Sequence, residues 1–532
     1  MLTPVRDRPL LVASLIGFGL SLFLIGRLVY SGFSILDDHW IVGWFGSDLH
    51  SRIASTEIAQ FGSSQRFRPV MFMALILESW LFGDRTYLYH SLQILWFGFF
   101  LSAFAWAGFR SVGAIVGSAL LFLVADGRYW GNIWTHSLFP SEQIACLGLG
   151  LVIFGYGLVW SAFVNQAWSR LDRAAILVGA GTLICVGSKE NFLPLVPMGI
   201  VLLAVLWRRK AIGKATMGIC LCLVALQLPI CYGIIAPNIA RPTDMYGNDN
   251  SFSHRLAMIF HTKRYALREF LALAGGAATW IWAWSGRNAR TARGTRELMA
   301  LSFLLLASGV YACWEQFFYV GQLPSNTRYD FPALLVDPIL AGAAFYVAMR
   351  VRDEVGAVGR QFGPLAVRFC VILLMIPVAV ESYDHDRLLS IRSAVRISNE
   401  HTGAMARDLG RMRSAAQMHP DWPILVRADY PLQYEAVVTL PLWLKHFGVA
   451  NPASVVVDVA PREINSRFYA LLVDAMRDQS KSGSPNGYRP RSAAVDNAQA
   501  QGHCYMIEFN AAATPCVSLP YHPGEYYPVE TF

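Results

Sequence analysis

Asp37 and Asp38 stand side by side in Leu36-Asp37-Asp38-His39-Trp40, shortly after the first apolar run of the chain. Adjacent carboxylates at a membrane boundary can present a general base or hold a cation near a phosphate. The same pair also reads as a solvated helix cap. The loop that it opens closes on Arg66 and Arg68. Guanidinium groups match phosphate oxygens through fixed, charge-assisted hydrogen bonds, and the plainer role of these two is to anchor the next helix to anionic headgroups. A second polar loop brings Arg128, Tyr129, Trp130 and His136 ahead of Glu142. Its rings could stack on a sugar, or form an ordinary interfacial belt with a capping glutamate. Lys189-Glu190 lies between two apolar blocks, where charge is costly unless paired or hydrated. Phosphate contact and an intrabundle salt bridge both answer that cost. Arg328-Tyr329 precedes Phe331-Pro332, and Glu315 closes the block before it. This arginine can face an anionic headgroup or snorkel to the interface, and Glu315 can line the same cavity.

The elements that must position these residues are apolar. Hydrophobic residues make up 55% of the 532 and charged ones 15%, against about 25% charged in a soluble domain. The excess falls in blocks through residues 1–380, and the blocks predict a polytopic all-α bundle of about 11 transmembrane helices. The first runs from Leu10 to Gly26 and is expected to be retained rather than cleaved as a signal. Tyr87–Phe109, Val112–Ala125, Ile144–Ala162, Ala174–Val186 and Phe192–Trp207 follow. The remainder are Ala215–Ile235, Phe270–Trp284, Met299–Trp314, Phe331–Met349 and Leu365–Val380. Pro69–Phe82 is apolar but short and carries Glu78, and it reads as an interfacial helix on the outer face of the bundle.

With eleven spans, the basic residues alternate by side. Arg6, Arg8, Arg110, Arg170, Arg173, Arg208 to Lys214, Arg287 to Arg296 and Arg350 to Arg360 all share one side. The positive-inside rule makes that side the cytoplasm. The N-terminus is then cytoplasmic, and loops 31–67 and 126–143 with the whole tail face outward. The formal net charge of +8 is explained by these loops, not by nucleic acid.

Residues 381–532 read as a small soluble α/β domain on the periplasmic or lumenal side. Ile424–Arg427, Ser454–Asp458 and Tyr505–Phe509 read as strands, and Tyr434–Phe447 and Ile464–Arg477 as helices. Gln479–Gln499 is rich in Ser, Gly, Pro and Asn and reads as a linker. Cys504 and Cys516 lie twelve residues apart in this domain and could form a disulfide outside the cytoplasm. No Cys-x-x-Cys pair or histidine cluster has metal-site spacing.

The arrangement resembles the GT-C superfamily of membrane glycosyltransferases, broadly the group of the polyprenyl-phosphate-sugar-dependent protein O-mannosyltransferases and lipid A aminoarabinose transferases. The similar features are Asp37-Asp38 after the first span, Arg66-Phe67-Arg68-Pro69 before a short helix, Leu81-Phe82-Gly83, Tyr87-Leu88-Tyr89-His90, Ser188-Lys189-Glu190, and Arg328-Tyr329 with Pro332. The His-Pro-Pro-Leu segment of the O-mannosyltransferases is absent, so neither sugar nor acceptor is assigned. The resemblance implies transfer of a sugar from a polyprenyl-phosphate donor to a glycan, lipid or protein acceptor, with inversion. It nominates Asp37 or Asp38 as general base, and Arg66, Arg68, Lys189 and Arg328 as phosphate ligands. His39, Arg128, Tyr129, Trp130, His136, Glu142, Glu190, Glu315 and Tyr329 are the candidate substrate pocket. A divalent cation is optional in this reading. A bacterial inner membrane is the expected site, and the C-terminal domain is open to an envelope-assembly partner. A transporter or flippase of lipid-linked saccharides is the alternative, and paired repeats or broken helices would favour it.

Overall fold

The structure, a computed structural model, describes residues 8–35, 37–61, 66–112, 114–125, 127, 129–138, 141–240, 251–260, 263–285, 292–319, 328–355, 387–427, 434–456, 492–508 and 515–519. Helix α1 (Arg8–Ile25) is followed by three short helices, α2 (His39–Gly43), α3 (Leu49–Ala54) and α4 (Glu57–Gln60). Then come α5 (Pro69–Phe82), α6 (Thr86–Val112), α7 (Ala114–Ala125), α8 (Tyr129–Thr135), α9 (Ser141–Asn165), α10 (Asp172–Ser188), α11 (Leu195–Arg208) and α12 (Lys214–Ala240). Helices α13 (Phe252–Met258), α14 (Lys263–Ser285), α15 (Ala292–Phe318) and α16 (Val336–Val355) complete the first part of the chain.

Six helical segments among the described residues are long and apolar enough to cross a membrane, which corrects the expectation of eleven. They are Pro9–Tyr30, Thr86–Arg110, Ser141–Asn165, Glu190–Arg208, Lys214–Ala240 and Ala292–Phe318. The other blocks fail for physical reasons. Helix α7 has 12 residues and reaches about 18 Å, well short of the roughly 30 Å of hydrocarbon. Helix α10 has 17 residues. Helix α14 opens on Lys263 and Arg264 and carries Arg268 and Glu269. Phe331–Met349 begins in 3-10 turns at Arg328–Asp330 and Ala333–Leu335. The Leu365–Val380 block lies outside the described residues, as does the expected domain boundary near 380.

Glycines set the helix contacts and their directions. A Cβ on Gly148 of α9 would stand 2.8 Å from the Gly181 carbonyl oxygen of α10, so these backbones touch as small residues allow. Gly155 meets Ala174 and Val178, which makes α9 and α10 antiparallel. Helix α6 runs against α1, with Ser21 Oγ donating to the Ile94 carbonyl at 2.8 Å and Gly17 facing Ser102. Helices α6 and α9 run parallel, with Gln93 Nε2 donating to Gln143 Oε1 at 2.8 Å and Gly150 meeting Phe99 and Phe100, so the ends at Tyr30, Thr86, Ser141 and Ser188 gather at one end of the bundle. Arg110, Arg170, Arg173 and Lys214 lie at the other. The 14-residue helix α5 exists as expected, with its proline in the first turn. It packs inward, with Val70 closing on Gly187.

The last part of the chain begins with α17 (Arg387–Ala416). Its Ile391 and Val395 lie in the main bundle core, whereas Met405, Leu409, Met412 and Ala416 lie in the core of the C-terminal domain. That domain contains β1 (Ile424–Arg427), α18 (Tyr434–His446), β2 (Ala453–Val456), α19 (Ala493–Ala500), β3 (Tyr505–Glu508) and β4 (Val517–Ser518). The sheet order is β2-β1-β3-β4 with every neighbour parallel. The unbroken apolar runs Ile424–Val426 and Tyr505–Ile507, buried at every position, fit parallel strands covered on both faces. Cys504 and Cys516 are joined, with Cα atoms 4.8 Å apart, at the starts of β3 and β4. Residues 493–500 form a helix where a linker was expected, because Ala-rich Ala493–Ala500 favours helix. The expected helix Ile464–Arg477 lies outside the described residues.

Candidate functional site

A polar cavity of about 320 Å³ opens at the end of the bundle where α1, α10 and α15 finish and α5 and α9 start. The loop after α1 supplies Asp37 and α2 supplies Trp40. The next polar stretch supplies Ser55, Glu57, Arg66 and Arg68, with Phe72 from α5. Ser141 and Glu142 open α9, Lys189 and Glu190 join α10 to α11, and Arg328 and Tyr329 precede α16. Four carboxylates thus face four cations across segments far apart in sequence.

Each cation has a carboxylate partner. Arg68 holds Glu57 with two bonds, Nη2 to Oε1 at 2.7 Å and Nε to Oε2 at 3.3 Å. Arg66 Nε lies 3.7 Å from Glu190 Oε1. Lys189 Nζ donates to Glu142 Oε1, and its ammonium stands 4.7 Å from the centre of the Tyr329 ring, within cation–π reach. Arg328 Nη1 is 3.6 Å from Asp37 Oδ2, and its own backbone amide donates to Asn132 Oδ1 at 3.0 Å. Burial of Arg328 favours the neutral form, but Tyr329, Glu142 and Asp37 outweigh it and raise its pKa. Burial works the same way at Arg68, where Glu57 overcomes it.

The two adjacent aspartates have different jobs, a distinction invisible in the sequence. Asp38 is fully buried. Its Oδ2 accepts from the Ser34 amide at 2.6 Å and its Oδ1 from the Leu138 amide at 2.7 Å. It is a tie between two loops, and burial pushes its carboxyl up against the pull of those amides, with Asp37 adding to the rise. Asp37 is a quarter exposed and points into the cavity. Its Oδ2 also lies 3.3 Å from His136 Nε2. Burial would raise its pKa, but the hydrogen bond from His136 and the charge of Arg328 hold the carboxyl well below the usual carboxylate range. Asp37 adopts a left-handed backbone, φ +59°, a conformation Asp tolerates better than most residues.

No protein-family model matches this chain, and no curated protein matches its sequence.

Of the residues expected at the site, Asp37, Arg66, Arg68, Glu142, Lys189, Glu190, Arg328 and Tyr329 meet in the cavity, and His136 touches Asp37 from behind. Others sit elsewhere. Tyr129 and Trp130 are core residues packed on Phe331, and Trp130 Nε1 donates to the Val124 carbonyl at 2.6 Å. Glu315 is fully buried, accepting from the Ala333 amide at 2.8 Å and from Asn191. His39 lies against Trp40, ring centres 5.6 Å apart, outside the cavity lining, and burial lowers its pKa. Arg128 lies outside the described residues. Glu57 was missed altogether. It follows Thr56, whose hydroxyl caps α4, so in sequence it reads as an ordinary first-turn acid. Among the described residues no cluster of three or more His, Cys, Asp or Glu side chains has metal-holding geometry.

Proposed function

We propose that this cavity transfers a sugar from a polyprenyl-phosphate donor to an acceptor hydroxyl, with inversion and with Asp37 as general base. The observation that carries the reading is a single polar cavity at the end of an apolar bundle, in which the partly exposed Asp37 carboxylate stands among four cations, each paired with a carboxylate. The resemblance to GT-C enzymes points the same way. A lipid-linked donor suits the walls of the cavity. Phe72 of α5 lines it, while Leu77 and Trp80 on the same helix are 54% and 72% exposed and would meet lipid in a membrane. The gathering of Arg110, Arg170, Arg173 and Lys214 at the opposite end supports a cavity on the extracytoplasmic side under the positive-inside rule. The Cys504–Cys516 bond supports the same side for the C-terminal domain.

The step balances as follows. The acceptor O–H gives its proton to Asp37, and its oxygen forms a bond to the anomeric carbon. The bond from that carbon to phosphate oxygen breaks on the opposite face, and its electron pair leaves with polyprenyl phosphate. Arg66, Arg68, Lys189 and Arg328 are preorganised donors for the charge that grows on the leaving phosphate. Drawing Arg328 toward phosphate also loosens its hold on Asp37, which raises the basicity of that carboxylate when the donor is bound. Metal is not required in this scheme.

Purified protein in lipid nanodiscs, given radiolabelled polyprenyl-phosphate sugars and a set of hydroxyl acceptors, tests the reading. A labelled product of inverted anomeric configuration that vanishes in Asp37→Asn supports it. Product formed equally by Asp37→Asn refutes the role of Asp37.

A further inference from the structure

The segment that carries Asp37 belongs to two cores at once. Ile35 and Val42 are buried with Leu440, Trp443 and Tyr505 in the core of the C-terminal domain. Ile41 and Trp44, on the other side of α2, are buried with Met71 and Phe72 of α5. Phe33 sets its ring 6.2 Å from Trp443 and 5.8 Å from His446, and Phe45 lies 5.4 Å from His446. Leu442 of α18 covers Gly43. Just upstream, α17 pins the chain: the Gly32 amide donates to Thr402 Oγ1 at 3.0 Å, and Asn399 Nδ2 donates to the Arg27 carbonyl at 3.2 Å.

Asp37 sits in the middle of this clamp in its left-handed conformation, a strained state that persists only where the surroundings over-determine it. Among the described residues the core of the C-terminal domain contains no residue of α5 or α10, the elements that carry or adjoin Arg68 and Lys189, although Phe33 and Phe45 also pack on the cluster that holds Met71 and Phe72 of α5.

We propose that the C-terminal domain is a positioning element of the site, closing its own core over Phe33, Ile35 and Val42 and so fixing the backbone that aims the Asp37 carboxylate. The inference rests on the reading of Asp37 as general base. It makes the domain part of the reaction centre, not a separate partner-binding appendage.

The full-length protein in nanodiscs serves for the test, with Phe33→Ala, its conservative counterpart Phe33→Tyr, and Leu442→Ala. Leu442 lies outside the domain core, so its truncation leaves that core intact if Phe33→Ala misfolds. A misaimed base lowers kcat by about tenfold or more while the donor KM stays within about twofold. Phe33→Tyr restores turnover. Amide hydrogen exchange quickens over residues 31–45 and stays as in wild type over residues 188–196. Unchanged kcat in both truncation variants overturns the inference, as does quickened exchange over both segments. If the wild-type protein transfers no sugar, the general-base reading fails alone, and the exchange pattern still decides whether the domain clamps the Asp37 segment.

Discussion

Replacing each aspartate of the pair by asparagine separates the proposed base from a tie. Asparagine has one carbonyl oxygen where aspartate has two acceptors. At Asp38 both oxygens are occupied, by the Ser34 amide at 2.6 Å and the Leu138 amide at 2.7 Å. Asp38→Asn therefore turns an NH2 group toward one of these amides and leaves a buried donor without an acceptor, at a cost of about 1.5–3 kcal/mol. At Asp37 the carboxylate is a quarter exposed, and the asparagine oxygen still accepts from His136. Asparagine also tolerates the left-handed backbone, and Arg328 keeps the charge of Glu142 when Asp37 loses its own, so Asp37→Asn is predicted to cost less stability than Asp38→Asn. It removes proton acceptance, however, which is worth about 100- to 10,000-fold in rate. Thermal unfolding in detergent and turnover per folded molecule read the two effects separately. Asp37→Asn is predicted to fold normally and turn over poorly, and Asp38→Asn to lose stability first. A fully stable, inactive Asp38→Asn beside an active Asp37→Asn would refute the assignment.

Three further outcomes follow from the same geometry. The Asp37 carboxyl titrates below its ordinary value of 3.8, so its stabilising contribution is present above that value and is lost as pH falls through the lower folded one. The rate of transfer should accordingly stay flat from neutrality down to about pH 4, and His136→Leu, which removes the hydrogen bond, should move the acid limb of the pH profile upward. Glu57→Ala leaves the Arg68 guanidinium, 13% exposed, without its bidentate partner, at a cost of about 3 kcal/mol by thermal unfolding; the Glu57→Ala/Arg68→Ala pair should cost less, and equal costs would contradict a buried pair. Cys504→Ser opens a loop of twelve-residue separation and should destabilise the β3–β4 edge by up to about 3 kcal/mol, read as faster hydrogen exchange at Val517 and Ser518.

Much of the site could be read in the sequence because charge inside an apolar chain demands a partner. Lys189, Glu142, Glu190, Arg66 and Arg328 each stood beside apolar blocks, and they meet one another. Aromatic residues carry no such demand. Tyr129 and Trp130 look alike whether they stack on a sugar or on Phe331, and only the phase of α8 sends them into the core. Asp37 and Asp38 differ through Leu138, a hundred residues away, which no local pattern records. The strands at Ile424–Arg427 and near Tyr505 were legible from short apolar runs between polar segments. The number of spans was not. Hydropathy marks what is apolar, but α7 shows that an apolar helix can be too short for a full crossing.

The most direct measurement is the position of a bound polyprenyl phosphate, determined by cryo-electron microscopy of the protein in nanodiscs. The account predicts the phosphate inside the cavity, within hydrogen-bonding distance of at least two of Arg66, Arg68, Lys189 and Arg328, with Asp37 on the far side of the space left for the sugar. A phosphate held elsewhere on the bundle, with these four cations still paired to their carboxylates, would contradict it.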